Sequence, residues 1–372
     1  MAGKFLFLTR RFILIINIVF AVVFLLACLS PYLRPDKWWV ISILGLGFTI
    51  LFIIQVLFVL FWLVFYARYA LISFICLLIG WQSIAVLFAV NSPEDFRKEK
   101  SKDVLRVVHW NVARFVEWRR NNNEGSRKRL RMMKQLKAQN ADVICFVEFF
   151  HSTHPEYYDN LNYVMKELGY PYYTFSWEED GDRHWVGQAI FSRYPILDSG
   201  KVFYPRPTMP LALVHADILF NRDTVRLYTT HLQSIRLQKV DYENIEKIKK
   251  TDEGMLEGSK SIFTKLKYGF IFRTTQSDIT KDEISKSPHP YIVTGDFNDV
   301  PNSYTYFTIS KGLQDAFLKD GFGIGRTFSF ISPTLRIDYI LATKDFEVQQ
   351  FDRVVKDLSD HYMLVADFKL HD

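Results

Sequence analysis

The chain has 372 residues, with 46 Lys and Arg against 40 Asp and Glu and a formal net charge of +6. Residues 1–96 hold six basic and three acidic groups, which leaves 40 and 37 for the remainder, so the polar part is nearly balanced. That balance argues against a non-specific duplex binder, whose surface is more strongly basic, and the three cysteines, all in apolar stretches, give no sign of a disulfide framework or a metal–thiolate site.

Three apolar runs come first: Phe12–Leu29, Trp38–Tyr66 and Ala70–Val90. A helix crosses the hydrocarbon core with about 20 apolar residues, so each run is read as a transmembrane helix. Trp38, Trp39, Tyr66 and Tyr69 stand near the ends, where amphipathic rings sit at the membrane–water boundary. The basic start MAGKFLFLTRR suits a signal peptide, but two further apolar runs follow at once, which a cleaved signal lacks. Lys4, Arg10 and Arg11 favour an inside N-terminus, so three crossings would place the downstream domain on the periplasmic or exterior side; Arg97, Lys98, Lys100 and Lys102 pull the other way. The expected organisation is a membrane domain at 1–92, a polar linker at 93–103 and a catalytic-type domain at 104–372.

Past the linker the pattern becomes β-rich, with runs such as VLRVVHWNV, DVICFVEF, QAIFSRYPI, LVHADILF, VRLYTTHL, YIVTGDFN, IDYILAT and MLVADFKL. Helical periodicity appears over Arg127–Gln139 and Tyr157–Leu168. Many strands with few crossover helices predict α+β layers built on mixed sheets.

Polar residues that interrupt these strands carry the information, because burying them unpaired is costly. They are Asn111, Glu148, His231, Asp296, Asn298, Asp338, Asp360 and His361. Each alone reads as a cap or a satisfied core residue. Together they form an oxygen-rich set with imidazoles and no thiolate, which suits a hard divalent cation and the handling of a phosphoester. In YIVTGDFN, Asp296 and Asn298 alternate with Phe297, which predicts two side chains on one face and Phe297 in the core.

The ordered motifs HWNVARF, ICFVEFF, GQAIFSRYPI, YTTHLQS, VTGDFNDVPNS, LRIDYIL and LSDHYML resemble the endonuclease/exonuclease/phosphatase superfamily over roughly residues 104–370. The resemblance implies a four-layer sandwich, two mixed sheets face to face and flanked by helices, and a metal-dependent phosphoric ester hydrolase. It further implies that Glu148, Asn111 and Asp360 bind the metal, with Mg²⁺ ahead of Mn²⁺ or Ca²⁺. His361 would act as general base, oriented by Asp338. Asp296 would position or deprotonate the water, Asn298 would hold a phosphate oxygen, and His231 would stabilise the phosphorane or protonate the leaving group. One departure is Val147, where the family often has Gln before the metal-binding Glu.

The apolar runs favour a lipid bilayer as partner and a phospholipid or sphingolipid headgroup as substrate, in the manner of a sphingomyelinase or phospholipase C. The insertion at 235–290 adds SIFTKLKYGFIFR, with Ile262, Phe263, Leu266 and Phe270 on one helical face and Lys265, Lys267 and Arg273 nearby, a pattern that lies on an anionic membrane or packs on its own domain. The alternative is a membrane-anchored nuclease using Arg114, Arg119, Arg120, Arg127, Lys128, Arg129 and Arg131 along a phosphate backbone. A catalytically inactive binding module is the third reading, and no obligate protein partner is indicated.

Overall fold

The computed structural model describes residues 2–92, 95–116, 127–208, 211–235, 255–330 and 332–371. The chain divides into two compact units: 1–88 with 234–275 and 299–308, and 89–233 with 276–298 and 309–372.

In the first unit the apolar runs form helices α1 (Ala2–Cys28), α2 (Pro35–Leu46), α3 (Phe48–Phe65), α4 (Ala67–Ile79) and α5 (Trp81–Ala85). The first run lies within α1 except for its last residue, Leu29. The second divides at Gly47 and the third at Gly80, both with backbone outside the helical region. Among the described residues, only Phe7–Cys28 and Phe48–Phe65 are long and apolar enough to cross a membrane. The third expected span is therefore corrected to a 13-residue and a 5-residue helix, each too short to cross, and the exterior placement loses the third crossing on which it rested. Glycine at 80 has a packing reason: a Cβ there would sit 2.8 Å from the Phe24 ring and 2.9 Å from Cys28 Sγ. Inside the bundle Asn17 donates to Ser73 Oγ at 2.6 Å and accepts from Trp62 Nε1 at 3.0 Å, tying α1, α3 and α4 by polar contacts that apolar surroundings strengthen. The outward residues Phe12, Ile15, Val19, Leu57, Val64 and Ile75 are exposed.

The second unit is built on two mixed sheets. One contains β2 (Val104–Asn111), β3 (Val143–Ser152), β4 (Tyr172–Phe175), β5 (Glu178–Gly181), β6 (His184–Ser192), β14 (Phe346–Val354) and β15 (Met363–Leu370), ordered β14-β15-β2-β3-β6-β4 with β5 paired to β6. The other contains β7 (Ile196–Phe203), β8 (Ala212–Phe220), β9 (Asp223–His231), β10 (Tyr291–Asp296), β11 (Gln314–Asp315) and β13 (Asp338–Ala342), ordered β11-β13-β10-β9-β8-β7. A short pair, β1 (Ala89–Val90) with β12 (Phe322–Gly323), joins the start of this unit to its later part.

Alternation along the strands makes two apolar layers. Leu105, Val107, Val143, Cys145 and Ala366 from one sheet meet Val214, Ala216, Leu227, Ile292 and Ile340 from the other. The opposite face of the first sheet packs Val108, Ile144 and Phe146 against Met132, Met133 and Leu136 of α6 (Arg127–Ala138) and Val164 of α7 (Asn160–Lys166). Residues on the inner layer that fall at the strand ends are thus brought to one rim of the sandwich, and this is where the site residues lie.

Candidate active site

β10 lies between β9 and β13, and its last residue, Asp296, pairs in register with His231 on one side and Asp338 on the other. Two carboxylates opposite one another repel, so this row requires cationic neighbours. His361, just before β15, supplies one. Its Nδ1 lies 2.8 Å from Asp338 Oδ2, and its Nε2 lies 3.6 Å from Asp296 Oδ2. His231 Nε2 is 3.7 Å from the same Asp296 oxygen. All four residues are buried.

Burial and charge together set their protonation. Burial opposes the His361 imidazolium, but Asp338 and Asp296 outweigh it and raise its pKa to about 10. Burial likewise opposes Asp338 ionisation, yet His361 and His109 hold it well below the usual carboxylate range. Asp296 goes the other way, to about 6, through burial and then the Asp338 charge. Burial lowers His231 against the opposing pull of Asp296.

The other sheet contributes from the ends of β2 and β3. Asn111 closes β2, donates from Nδ2 to Asp296 Oδ2 at 3.0 Å and accepts the Ala113 N–H on Oδ1 at 3.1 Å. The four residues that follow it closely, Ala113, Arg114, Phe115 and Val116, have φ of 44, 59, 60 and 64°. Left-handed backbone costs a non-glycine residue roughly 1–2 kcal/mol, and such strain collects at functional sites. The turn delivers Arg114 to Asp180, 2.6 Å away.

Glu148 sits at a bulge, where pairing with β6 shifts register between Phe146 and Phe149, and its φ is 52°. Phe146 and Phe149 both lie in the outer layer, which strict alternation forbids. The extra residue releases Glu148 from that face. Burial raises its pKa and Asp360 adds to the rise, while His361, Arg114 and Asn111 oppose it. Asp360 is half-buried and accepts from Ser359 Oγ at 3.1 Å, and its carbonyl accepts the Ser329 N–H at 2.8 Å. Val147 is buried.

Asn298 requires a correction. The strand stops at Asp296, and Asn298 lies beyond it with φ of 51°, so extended alternation does not orient it. Its Nδ2 donates to Leu232 O and its N–H to Asp296 Oδ1, each at 2.9 Å. Phe297 does enter the core, fully buried and 4.8 Å from the Tyr339 ring.

One site residue is absent from the sequence reading. His109, fully buried in β2, places Nε2 3.4 Å from Asp338 Oδ1. Its signal is a histidine two residues before Asn111 in VLRVVHWN, on the same face. In the basic run, Arg129 is buried, donates to Asn160 at 2.5 Å and lies over the Tyr158 and Tyr163 rings, so it is not a solvated phosphate contact. Arg119 and Arg120 lie outside the described residues. In the insertion, Phe270 and Arg273 are buried while Phe263 is exposed, which matches packing on its own unit better than lying flat on a membrane; residues 236–254 lie outside the described residues.

The Endonuclease/Exonuclease/phosphatase family model matches residues 108–361, and a second model, Domain of unknown function (DUF8431), matches 10–87. Among solved structures, an endonuclease/exonuclease/phosphatase from Beutenbergia cavernae matches with TM-score 0.52 and 21% identity, covering 72% of each chain. A family protein from Leptotrichia buccalis matches with TM-score 0.50 and 16% identity, covering 72% of this chain and all of that one. No curated protein matches the chain. The chain belongs to the endonuclease/exonuclease/phosphatase family. Members of that family are generally metal-dependent phosphoester hydrolases.

Proposed function

We propose that this chain is a membrane-associated, divalent-cation-dependent phosphoester hydrolase acting on a lipid headgroup. The observation that carries the hydrolase reading is the convergence of His231, Asp296, Asp338 and His361, within 3.7 Å of their neighbours in the row, beside Asn111. The exposed apolar faces of α1, α3 and α4 support the membrane and, through it, the lipid.

Asp296, Asp338 and His361 offer ligand atoms within 4.8 Å of one another. The His361–Asp338 hydrogen bond already occupies that trio, so a cation fits better at Glu148, with Asn111 and Asp360. Glu148 is a half-buried carboxylate whose pKa is raised by desolvation against the pull of its cationic neighbours, and the donors are oxygens, which suits Mg²⁺, with Mn²⁺ and Ca²⁺ sharing the chemistry. When bound there, the cation supplies positive charge to the phosphate oxygens.

The proton duties follow from the electrostatics. Asp338 and Asp296 raise the His361 pKa against burial, which favours the imidazolium and a role in stabilising phosphate charge. Asp296, at about 6, is mostly ionised at neutral pH and close to the optimum for general base work. Asp338 holds His361 in its charged, oriented state. His231 stands at the other side of Asp296 for the leaving oxygen. Asn298 supports Asp296 through its backbone N–H and holds the turn on which a phosphate oxygen would rest.

The test is a panel with Mg²⁺: mixed phospholipid and sphingolipid liposomes, soluble phosphoesters and plasmid DNA, each with wild type and His361→Ala. Headgroup or phosphate release from liposomes that the variant loses supports the proposal. Turnover of DNA alone replaces lipid by the nuclease reading. No turnover of any substrate overturns the hydrolase.

A further inference from the structure

GQAIFSRYPI alone among the ordered motifs supplies none of the residues gathered at the candidate site. Its second residue, Gln188, lies in β6 and is 1% exposed. Neither Oε1 nor Nε2 of Gln188 has a hydrogen-bond partner among the described residues. Burying both ends of an amide unpaired is costly. The main chain at this residue has no such lack. The Gln188 N–H donates to Ser176 Oγ at 3.0 Å, and its carbonyl accepts the Ser176 N–H at 2.9 Å. The strand is therefore held while the side chain is left without a partner.

The register places that side chain. Phe146 pairs with Ala189 and Phe149 with Gly187, so both residues of the bulge, Val147 and Glu148, lie opposite Gln188. Ala189 and Phe191 belong to the outer layer and Ile190 to the inner one, so alternation puts Gln188 on the inner face. Asn111 pairs with Val147 on the other side of β3 and shares the inner face with Leu105 and Val107. Asn111, the bulge carrying Glu148, and Gln188 thus form one row across β2, β3 and β6, with neighbouring strands about 4.8 Å apart. Gln188 flanks Glu148 on the side away from Asn111, and the whole row lies within the second unit.

We propose that the Gln188 amide is a further binding group of this site, with Nε2 donating to a phosphate oxygen and Oε1 accepting from a water or hydroxyl carried in with the substrate. This rests on the reading of Glu148 as the cation-binding residue. An amide suits the position because it offers donors and an acceptor without charge. A carboxylate there would repel the phosphate, and an ammonium would repel the cation. A buried amide that pairs only with a ligand weakens the fold and strengthens binding, whereas one paired within the fold strengthens the fold alone.

Gln188→Met in the full-length protein in nanodiscs tests this, because it keeps an unbranched side chain of similar length and removes both hydrogen-bonding ends. The probes are inorganic phosphate titrated calorimetrically at saturating Mg²⁺, and the melting temperature in EDTA. Expected are a phosphate Kd raised about tenfold or more, Mg²⁺ affinity without phosphate within about threefold of wild type, and a melting temperature at or above that of wild type. The KM for bis(p-nitrophenyl) phosphate should rise in parallel. Unchanged phosphate affinity overturns the inference, whatever the melting temperature does. Should Gln188→Met not fold, Gln188→Glu keeps the shape and loses the donor; phosphate affinity should fall likewise, and wild-type affinity in that variant overturns the inference. A wild type that binds phosphate with Mg²⁺ but turns over no phosphoester defeats the hydrolase reading, and the comparison of affinities still decides the role of Gln188. A wild type that binds no phosphate overturns the inference.

Discussion

Asp338→Asn removes one charge while keeping the shape of the side chain, and the row of buried groups makes its effect calculable. His361 stands at about 10 against an ordinary 6.5. At 1.36 kcal/mol per tenfold, that gap is worth about 5 kcal/mol of preference for the imidazolium. Asp338 is the largest cause of the rise, ahead of Asp296, and burial works against both. With Asn at 338, burial faces Asp296, across 3.6 Å without a direct hydrogen bond, and the smaller pull of Asp360. His361 is then expected to titrate near or below 6.5 and to be largely neutral at pH 7.5. Turnover should fall by roughly 10³-fold or more, as when an orienting carboxylate is lost from another catalytic imidazole. The assay is a carbon-detected histidine titration in EDTA, beside phosphate-release kinetics with Mg²⁺. The sign also fixes a stability window. The contribution of His361 is complete below pH 6.5 and is lost as pH rises through about 10. Wild type should therefore lose stability across that interval and the variant should not. A His361 that still titrates at the wild-type pH in Asp338→Asn would refute the reasoning.

Chelation should abolish turnover and Mg²⁺ restore it, and Glu148→Gln should raise the Mg²⁺ needed for half-maximal rate by about tenfold or more while leaving the cation-free protein as stable or more so, because burial penalises the Glu148 charge; an unshifted Mg²⁺ dependence refutes that role. His109→Leu leaves Asp338 Oδ1 without its 3.4 Å neighbour, and an unsatisfied buried acceptor costs about 1–3 kcal/mol, so unfolding under denaturant should shift by that amount and His109→Gln should recover part of it; a His109→Leu protein as stable as wild type counts against the contact. Burial raises Glu178 to about 7 against an ordinary 4.5, so it binds its proton more tightly when folded; stability should fall by at most about 3 kcal/mol as pH rises from 4.5 to 7, and Glu178→Gln, read by chemical denaturation at several pH values, should flatten that decline.

The family, the strand runs and the identity of the polar set were legible in the chain, because period-two alternation and the order of motifs are local properties that survive without coordinates. Phe297 illustrates this: its place between Asp296 and Asn298 predicted its burial, and it is buried. Asn298 was not legible, because the strand ends before it and a left-handed turn, not alternation, orients it. Glu148 was recognisable as a carboxylate at a strand end, but only the bulge that shifts β3 against β6 turns it away from the outer layer. His109 looked like one more residue of an apolar strand until β13 brought Asp338 within 3.4 Å of it.

Composition alone determined that most of the first 85 residues form apolar helices, since hydropathy is a property of the residues themselves. Where those helices break is seen only in the folded chain, at Gly47 and Gly80, and at Gly80 the backbone passes Phe24 and Cys28 where a side chain has no room. Protonation was likewise decided in three dimensions. Asp296 and Asp338 are the same residue type with the same ordinary pKa; burial and then the Asp338 charge raise the first, while at the second the charge of His361, with hydrogen bonds to His109 and His361, outweighs burial. Charges interact through distance and surrounding dielectric rather than through sequence separation, so their roles appear only once the 41 intervening residues have been folded back to set the two carboxylates side by side.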